Sequence, residues 1–141
     1  MTPDQIRLIQ KSFAKVAMIP DQAAALFYGR LFEVAPSVKP LFRGDMTIQG
    51  RKLVATLATV VNGLDTLDAV LPAASALAKR HVAYGVERRH YAVVGETLLW
   101  TLERGLGSQW TSDLAAAWAA AYGALSAFMI NEAYGRTEAA E

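Results

Sequence analysis

Two histidines, His81 and His90, are the residues of this chain with the clearest capacity for metal chemistry. Both lie in the segment KRHVAYGVERRHYAVVGETLLW. On one helix their spacing turns the side chain through about 900°, so the two imidazoles point to opposite faces and form no i, i+4 metal pair. His81 follows Lys79-Arg80 at the end of a predicted helix, where a surface histidine is common. Spacing and position alone are therefore compatible with a structural role for each histidine.

The absence of cysteine narrows the metal chemistry further. It excludes disulfides, thiolate zinc sites, iron–sulfur clusters and covalent haem attachment through C-x-x-C-H. A metal site must therefore be built from carboxylates, use one histidine, or arrive inside a cofactor. Haem iron needs one protein ligand and is the natural candidate for a one-histidine site. The glycines of Gly105-x-Gly107 follow a helix, not a strand, so they are not a dinucleotide-binding loop.

Three further side chains combine chemical capacity with apolar surroundings. Tyr28 lies inside LFYGRLF, and a buried tyrosine needs a partner for its hydroxyl, either a backbone carbonyl or a ligand in a cavity. Gln49 precedes Leu53 by one helical turn, so it is either solvated or directed into the same cavity. Phe42 follows a proline-limited turn, where ordinary core packing is the plain interpretation.

Composition predicts one soluble, cytoplasmic domain. The 141 residues are 53% hydrophobic, which is enough for a single packed core. Fourteen basic residues balance thirteen acidic ones, which argues against nucleic-acid binding by charge neutralisation. The polar N-terminus is not a signal peptide, and no stretch is expected to span a membrane.

The apolar periodicity predicts an all-α fold of about six main helices plus short turns. Thr2 and Gln5 form a capping box for the first helix. The expected later boundaries are a helix start at Pro20, a third helix reaching Leu64, a break near Pro72, a stop at Gly85, a helix from Glu87 capped by Gly105 and Gly107, and a last helix from about Trp110 to Tyr134.

The order of four segments resembles the bacterial globins. These segments are LFYGRLFEVAPSVKPLF, QGRKL, AKRHVAYGVERRHYAVVGETLLWTL and LAAAWAAAYGALSAFMINE. They are similar to the haem domain of flavohaemoglobins and to its free-standing single-domain relatives. The resemblance implies a globin fold around a haem pocket over residues 1–135, with a short C-terminal tail over 136–141. It also implies haem b, iron protoporphyrin IX, as the cofactor.

The resemblance assigns roles to individual residues. His81 matches the proximal histidine that binds haem iron, whereas His90 receives no ligand role. Tyr28 and Gln49 match the hydrogen-bonding pair on the opposite side of the haem and would be the catalytic residues. Glu132 would lie behind His81 and accept a hydrogen bond from its ring N–H. The remaining haem contacts that it implies are Phe42, Lys52, Leu53, Arg80, Val86, Tyr91 and Val94, with Lys52 or Arg80 holding a propionate.

The implied partners are O₂, NO, CO and other small diatomic ligands. A hydrogen bond onto bound oxygen contributes roughly 1.5–3 kcal/mol, so Tyr28 and Gln49 would favour tight binding. The expected function is oxygen binding or transport, or conversion of nitric oxide to nitrate. Because no flavin module is recognised, an external reductase would supply electrons. A monomer or weak homodimer is expected. Two alternatives are a haem-based gas or redox sensor acting through a partner protein, and a cofactor-free helical adaptor.

Overall fold

The computed structural model describes residues 1–134, and this part of the chain is α-helical without a strand. Its helices are α1 (Pro3–Val16), α2 (Pro20–Val34), α3 (Met46–Asn62), α4 (Leu67–Ala83), α5 (His90–Leu106) and α6 (Ser112–Tyr134). Short 3₁₀ turns span Pro36–Leu41, Leu64–Thr66 and Gly107–Gln109. The predicted all-α fold of six main helices is confirmed. The predicted tail, 136–141, lies outside the described residues.

The first helix begins as its sequence predicts. The Thr2 hydroxyl accepts a hydrogen bond from the Gln5 backbone N–H at 3.1 Å, and the Gln5 side chain accepts one from the Thr2 N–H at 3.1 Å. Asp45 caps α3 in a similar way, because its carboxylate accepts from the backbone N–H groups of Thr47 and Ile48. These caps satisfy backbone donors that a helix start otherwise leaves without partners.

Several predicted boundaries differ from the structure, including the start of α5, which is His90 and not Glu87. The third helix ends at Asn62, so Leu64 lies in the following 3₁₀ turn. Pro72 does not break α4, which continues to Ala83 with Val70, Ala74 and Ala78 buried. The burial of these residues offsets the lost hydrogen bond and the steric crowding that a proline introduces into a helix. Gly105 lies inside α5, which ends at Leu106. The helix is followed by Gly107 with a φ of 57°, a backbone conformation that glycine adopts without strain.

The buried core of the described residues divides into two clusters. The larger one joins α1, α2, α3, most of α5 and the start of α6. The smaller one joins α4 to the beginning of α5 and the end of α6, around Ala74, Ala78, Tyr91 and Met129. Helices α3 and α4 are connected by the turn Leu64–Thr66, yet each packs mainly against other helices. The fold therefore places two separately packed surfaces on either side of the α3–α4 connection.

Helix α6 is long and apolar enough to cross a membrane by length and composition alone, which the sequence analysis did not expect. The pair Met46–Asn62 and Leu64–Ala83 passes the same test only as a span bent by 56°. The core helix of a soluble protein meets the same criteria of length and composition. In this fold α6 packs against α4, α1 and α5.

Candidate functional site

Tyr28 lies in a cluster of aromatic rings between α2 and the turn that follows it. Its side chain is buried, with 7% exposed. The ring centroids of Phe27, Phe42 and Phe32 lie 5.1, 5.2 and 5.9 Å from that of Tyr28. Phe32 follows Tyr28 by one helical turn, and the 3₁₀ turn Pro36–Leu41 brings Phe42 back against both rings. This packing fixes the orientation of the phenol.

Gln49 meets Tyr28 from the neighbouring helix, α3. Burial raises the pKa of Tyr28, and a hydrogen bond with the Gln49 side chain partly opposes that rise. A bond that lowers the pKa stabilises the phenolate, as an amide N–H donating to the phenol oxygen does. The hydroxyl remains protonated at neutral pH and is a neutral donor. Leu53, one turn beyond Gln49, is half-buried against the same core cluster.

His81 lies in the last turn of α4, in contact with the other core cluster. Burial lowers the pKa of its imidazole, an interaction with the backbone carbonyl of Leu77 partly opposes this, and the charge of Arg80 adds to the lowering. The ring is therefore neutral at pH 7. Its Nδ1 is buried without a hydrogen bond of normal geometry. A neutral, half-buried imidazole has the protonation state that metal coordination requires.

Tyr91 and the α4–α5 connection surround the His81 ring. The Tyr91 ring stacks on it at 6.4 Å between centroids, with 28° between the planes, and the Tyr91 hydroxyl is buried without a hydrogen-bond partner. The Val86 backbone N–H donates to the His81 carbonyl at 2.9 Å, and the Val86 carbonyl accepts from the Tyr134 hydroxyl at 2.6 Å. These contacts tie the His81 segment to α5 and α6.

Glu132 has a different partner from the one that the sequence suggested. Its Oε1 accepts a hydrogen bond from the Ser75 hydroxyl at 2.7 Å, across the contact between α4 and α6. The Nδ1 of His81, expected to donate to this carboxylate, makes no such bond. Glu132 thus joins α4 to α6 through Ser75 and accepts no hydrogen bond from the His81 Nδ1 in this structure.

His90 has a structural role. Its side chain is 8% exposed, and its Nδ1 accepts the backbone N–H of Glu87 at 2.9 Å. The bond closes the turn that leads from Val86 into α5. This agrees with the expectation that His90 is not a ligand.

Two of the remaining predicted haem contacts are divided between the two core clusters. Val94 is half-buried against the larger cluster, and Val86 packs against the smaller one. The side chains of Lys52 and Arg80 are exposed. Sequence reasoning missed Leu77, whose position one turn before His81 was the available signal, and Ser75, which no pattern distinguished.

The predicted residues therefore form two groups. Tyr28, Phe42 and Leu53 belong to the larger core cluster, and Gln49 acts on Tyr28 from α3. Val86 and Tyr91 belong to the smaller cluster, and the ring of His81 stacks on that of Tyr91. The described residues contain no group of three or more histidines and carboxylates that would hold a free metal ion. A metal at His81 would consequently need most of its ligands from a cofactor.

Comparison with known proteins identifies the fold. A family model described as Globin matches residues 25–129. The flavohemoprotein of Bordetella parapertussis is 33% identical over 134 residues, which cover 92% of this chain and 33% of that protein. The flavohemoprotein of Chromobacterium violaceum is 32% identical over 150 aligned residues, covering all of this chain and 37% of that protein. The chain thus spans about a third of the length of these curated relatives.

Solved structures agree. An engineered carbene transferase, derived from a putative nitric oxide dioxygenase of Rhodothermus marinus, superposes with a TM-score of 0.84 at 26% identity, covering 100% of this chain and 99% of that one. A bacterial globin from Campylobacter jejuni gives a TM-score of 0.80 at 24% identity, covering 99% and 100%. The family match over most of the chain and the shared helical arrangement lead to one conclusion: this chain belongs to the globin family.

Proposed function

We propose that this chain binds haem b through His81 and uses the haem to bind a diatomic gas. The observation that carries the proposal is the neutral imidazole of His81, half-buried at the end of α4 in a chain whose described residues offer no alternative metal cluster. When bound, the haem iron supplies the position at which the gas coordinates. Membership of the globin family and the flavohemoprotein relatives support the same cofactor.

The side chains around the two core clusters suit a flat apolar group. Phe42, Leu53 and Val94 are half-buried against one cluster, and Leu77 and Val86 are half-buried against the other. Such side chains gain free energy when a ligand covers their remaining apolar surface. The buried Nδ1 of His81 has no hydrogen-bond partner. The Leu77 carbonyl, which acts to raise the pKa of this imidazole, would be the acceptor that a metal-bound histidine commonly needs for its second nitrogen. The exposed Lys52 and Arg80 are the candidates for holding carboxylate groups at the edge.

On the opposite side, Tyr28 and Gln49 would hold the bound gas. The Gln49 amide contacts the phenol oxygen, so the phenolic proton stays available for a ligand that carries partial negative charge. A hydrogen bond to a charged acceptor is worth about 1.5–3 kcal/mol, or roughly one to two decades in affinity. Tyr28 therefore favours oxygen over ligands that accumulate less charge. Leu53 and the aromatic rings keep the surroundings apolar, which strengthens the hydrogen bond.

We further propose that the oxygen-loaded chain converts nitric oxide to nitrate. Both atoms of O₂ join one NO, and one electron per turnover must come from an outside reductant. The flavohemoprotein relatives and the putative nitric oxide dioxygenase among the structural neighbours support this reaction class over oxygen transport alone. Tyr28 and Gln49 take part by retaining bound oxygen until NO arrives.

Titration of the purified chain with hemin tests the haem assignment. The wild-type chain should develop a Soret band that saturates at one hemin per chain, because each chain has one His81 that would hold the iron. His81→Ala should lose this band or bind hemin weakly. His90→Ala is the matched control, since it removes the other imidazole and should retain the wild-type spectrum. A colourless wild type, or equal spectra for His81→Ala and the wild type, would contradict the proposal.

A further inference from the structure

A hydrogen bond between two half-buried side chains joins α4 to α6. The Ser75 hydroxyl donates to Oε1 of Glu132 at 2.7 Å. Ser75 directly follows Ala74 and precedes Ala78 by three residues, and these two alanines belong to the smaller core cluster together with Tyr91. The bond therefore holds the Glu132 carboxylate at the edge of the cluster that contains Tyr91.

Two donors at this end of the fold are buried without an acceptor. They are the Nδ1 of His81 and the hydroxyl of Tyr91, whose rings stack with 6.4 Å between their centroids. A buried donor without an acceptor destabilises the folded chain, because it has given up its hydrogen bonds to water. The Glu132 carboxylate could accept from either group, yet it is bonded to Ser75, which lies six residues or about 9 Å before His81 along α4.

The acceptor that faces Nδ1 of a metal-bound histidine determines how basic the imidazole is. A carboxylate in this position carries a full negative charge and makes the imidazole a stronger electron donor to the metal. A backbone carbonyl is neutral and has a smaller effect. With Glu132 bonded to Ser75, the acceptor that acts on His81 is the carbonyl of Leu77, one helical turn earlier.

We propose that Ser75 is a positioning residue, which keeps the Glu132 carboxylate away from the imidazole of His81. The inference rests on the proposed function, because it concerns the residue that is proposed to hold the haem iron. Ser75 thereby leaves His81 a ligand of moderate basicity. Such a ligand suits reversible gas binding, since a ligand that pushes more electron density to the iron favours cleavage of the O–O bond.

Ser75→Ala removes the hydroxyl without adding bulk and releases the carboxylate. In the haem-free chain, at a pH where the imidazole is neutral, nuclear magnetic resonance of ¹⁵N-labelled histidine should show the Nδ1 proton of His81 shifted downfield and exchanging more slowly. In the ferrous chain loaded with hemin, the iron–histidine stretching band in the resonance Raman spectrum should move to higher frequency. Ser75→Thr keeps a hydroxyl and should retain both wild-type signals.

Two further variants show whether the carboxylate carries the effect. Ser126→Ala is the matched control, because it removes a serine hydroxyl on α6 that donates to the Gly123 carbonyl at 3.2 Å. It should leave both signals at their wild-type positions. Adding Glu132→Gln to Ser75→Ala replaces the carboxylate by a neutral amide and should return the stretching band to its wild-type frequency.

The outcomes separate this inference from the proposed function. An unchanged Nδ1 proton in haem-free Ser75→Ala overturns the inference alone, since the released carboxylate has then turned elsewhere. An unchanged stretching band in a Ser75→Ala chain that takes up hemin normally also overturns it. The expected change at Nδ1, in a chain that never develops a Soret band, supports the positioning by Ser75 and removes the haem assignment.

Discussion

The side chain of Gln49 on α3 acts on the phenol of Tyr28 on α2 across the contact between the two helices. Burial raises the pKa of this phenol and the Gln49 side chain partly opposes the rise, which is the effect of a donor directed at the phenol oxygen. Three aromatic rings restrict the phenol from the other directions. The two helices therefore determine together how the Tyr28 phenol is oriented.

Replacing Tyr28 by phenylalanine removes the proposed hydrogen bond to bound oxygen while keeping the ring that packs against Phe27, Phe32 and Phe42. If the bond is worth about 1.5 kcal/mol, oxygen should dissociate roughly ten-fold faster or more. Stopped-flow displacement of oxygen by CO measures this rate. Hemin binding and the Soret intensity should stay close to wild type, because the variant leaves His81 intact.

Tyr122→Phe is the matched control for this variant. It also removes one buried phenolic hydroxyl, but that hydroxyl donates to the Tyr91 carbonyl at 2.7 Å in the packing of α5 against α6. The variant should lower stability and leave the oxygen dissociation rate unchanged. Equal dissociation rates for Tyr28→Phe and the wild type would show that the phenol does not contact bound oxygen.

The reaction with nitric oxide gives a second prediction. Rapid mixing of the oxygenated chain with one equivalent of NO should produce ferric haem and one equivalent of nitrate within the mixing phase. Tyr28→Phe should give less nitrate per haem when NO is added after a delay, because more oxygen has dissociated by then. Slow or absent nitrate formation by the wild type would leave gas binding as the function and remove the dioxygenation.

Local signals predicted the helices, whereas the contacts between helices escaped them. Thr2 and Gln5 carry their capping information within four residues, so that helix start was predictable. Pro72 marked a break that did not occur, because burial along α4 outweighs one missing hydrogen bond. Glu132 was assigned to His81 from a resemblance, and its bond with Ser75 depends on how α4 meets α6, which no local pattern encodes.

The haem-free chain should lose stability in acid through His81. Burial holds the pKa of this imidazole below its ordinary value of 6.5. Above pH 6.5 the ring is neutral in the folded and unfolded chains, so it adds no pH dependence. Below 6.5 the unfolded chain binds a proton that the folded chain does not, and the free energy of unfolding falls with pH until the lowered pKa is reached. Urea unfolding of the haem-free chain across this range measures the fall.

Replacing His81 by glutamine separates the contribution of this imidazole to the pH dependence of stability from that of the carboxylates. His81→Gln keeps a polar side chain that cannot titrate, so its unfolding free energy should decline less than that of the wild type as pH decreases from 6.5. His90→Ala should retain the part of the decline that belongs to His81. Parallel pH profiles for His81→Gln and the wild type would show that this imidazole is equally easy to protonate in both states.

The contact between Gly95 and Tyr122 predicts the effect of a single methyl group on stability. A Cβ at position 95 would lie 2.6 Å from Cε2 of Tyr122. The ring has little room to retreat, because its hydroxyl is bonded to the Tyr91 carbonyl. Gly95→Ala should therefore destabilise the chain by about 1–3 kcal/mol, the usual cost of overpacking.

Gly29→Ala is the opposite case, since no heavy atom lies within 4 Å of the Cβ it would add inside α2. It should stabilise the chain by about 0.4–1 kcal/mol, because alanine restricts the unfolded chain at a helical position. Urea unfolding of both variants, haem-free and at one pH, makes the comparison. If both alanines stabilise the chain, α5 and α6 separate easily at Gly95. The close packing of Tyr122 against Gly95 would then contribute little to the stability of this part of the fold.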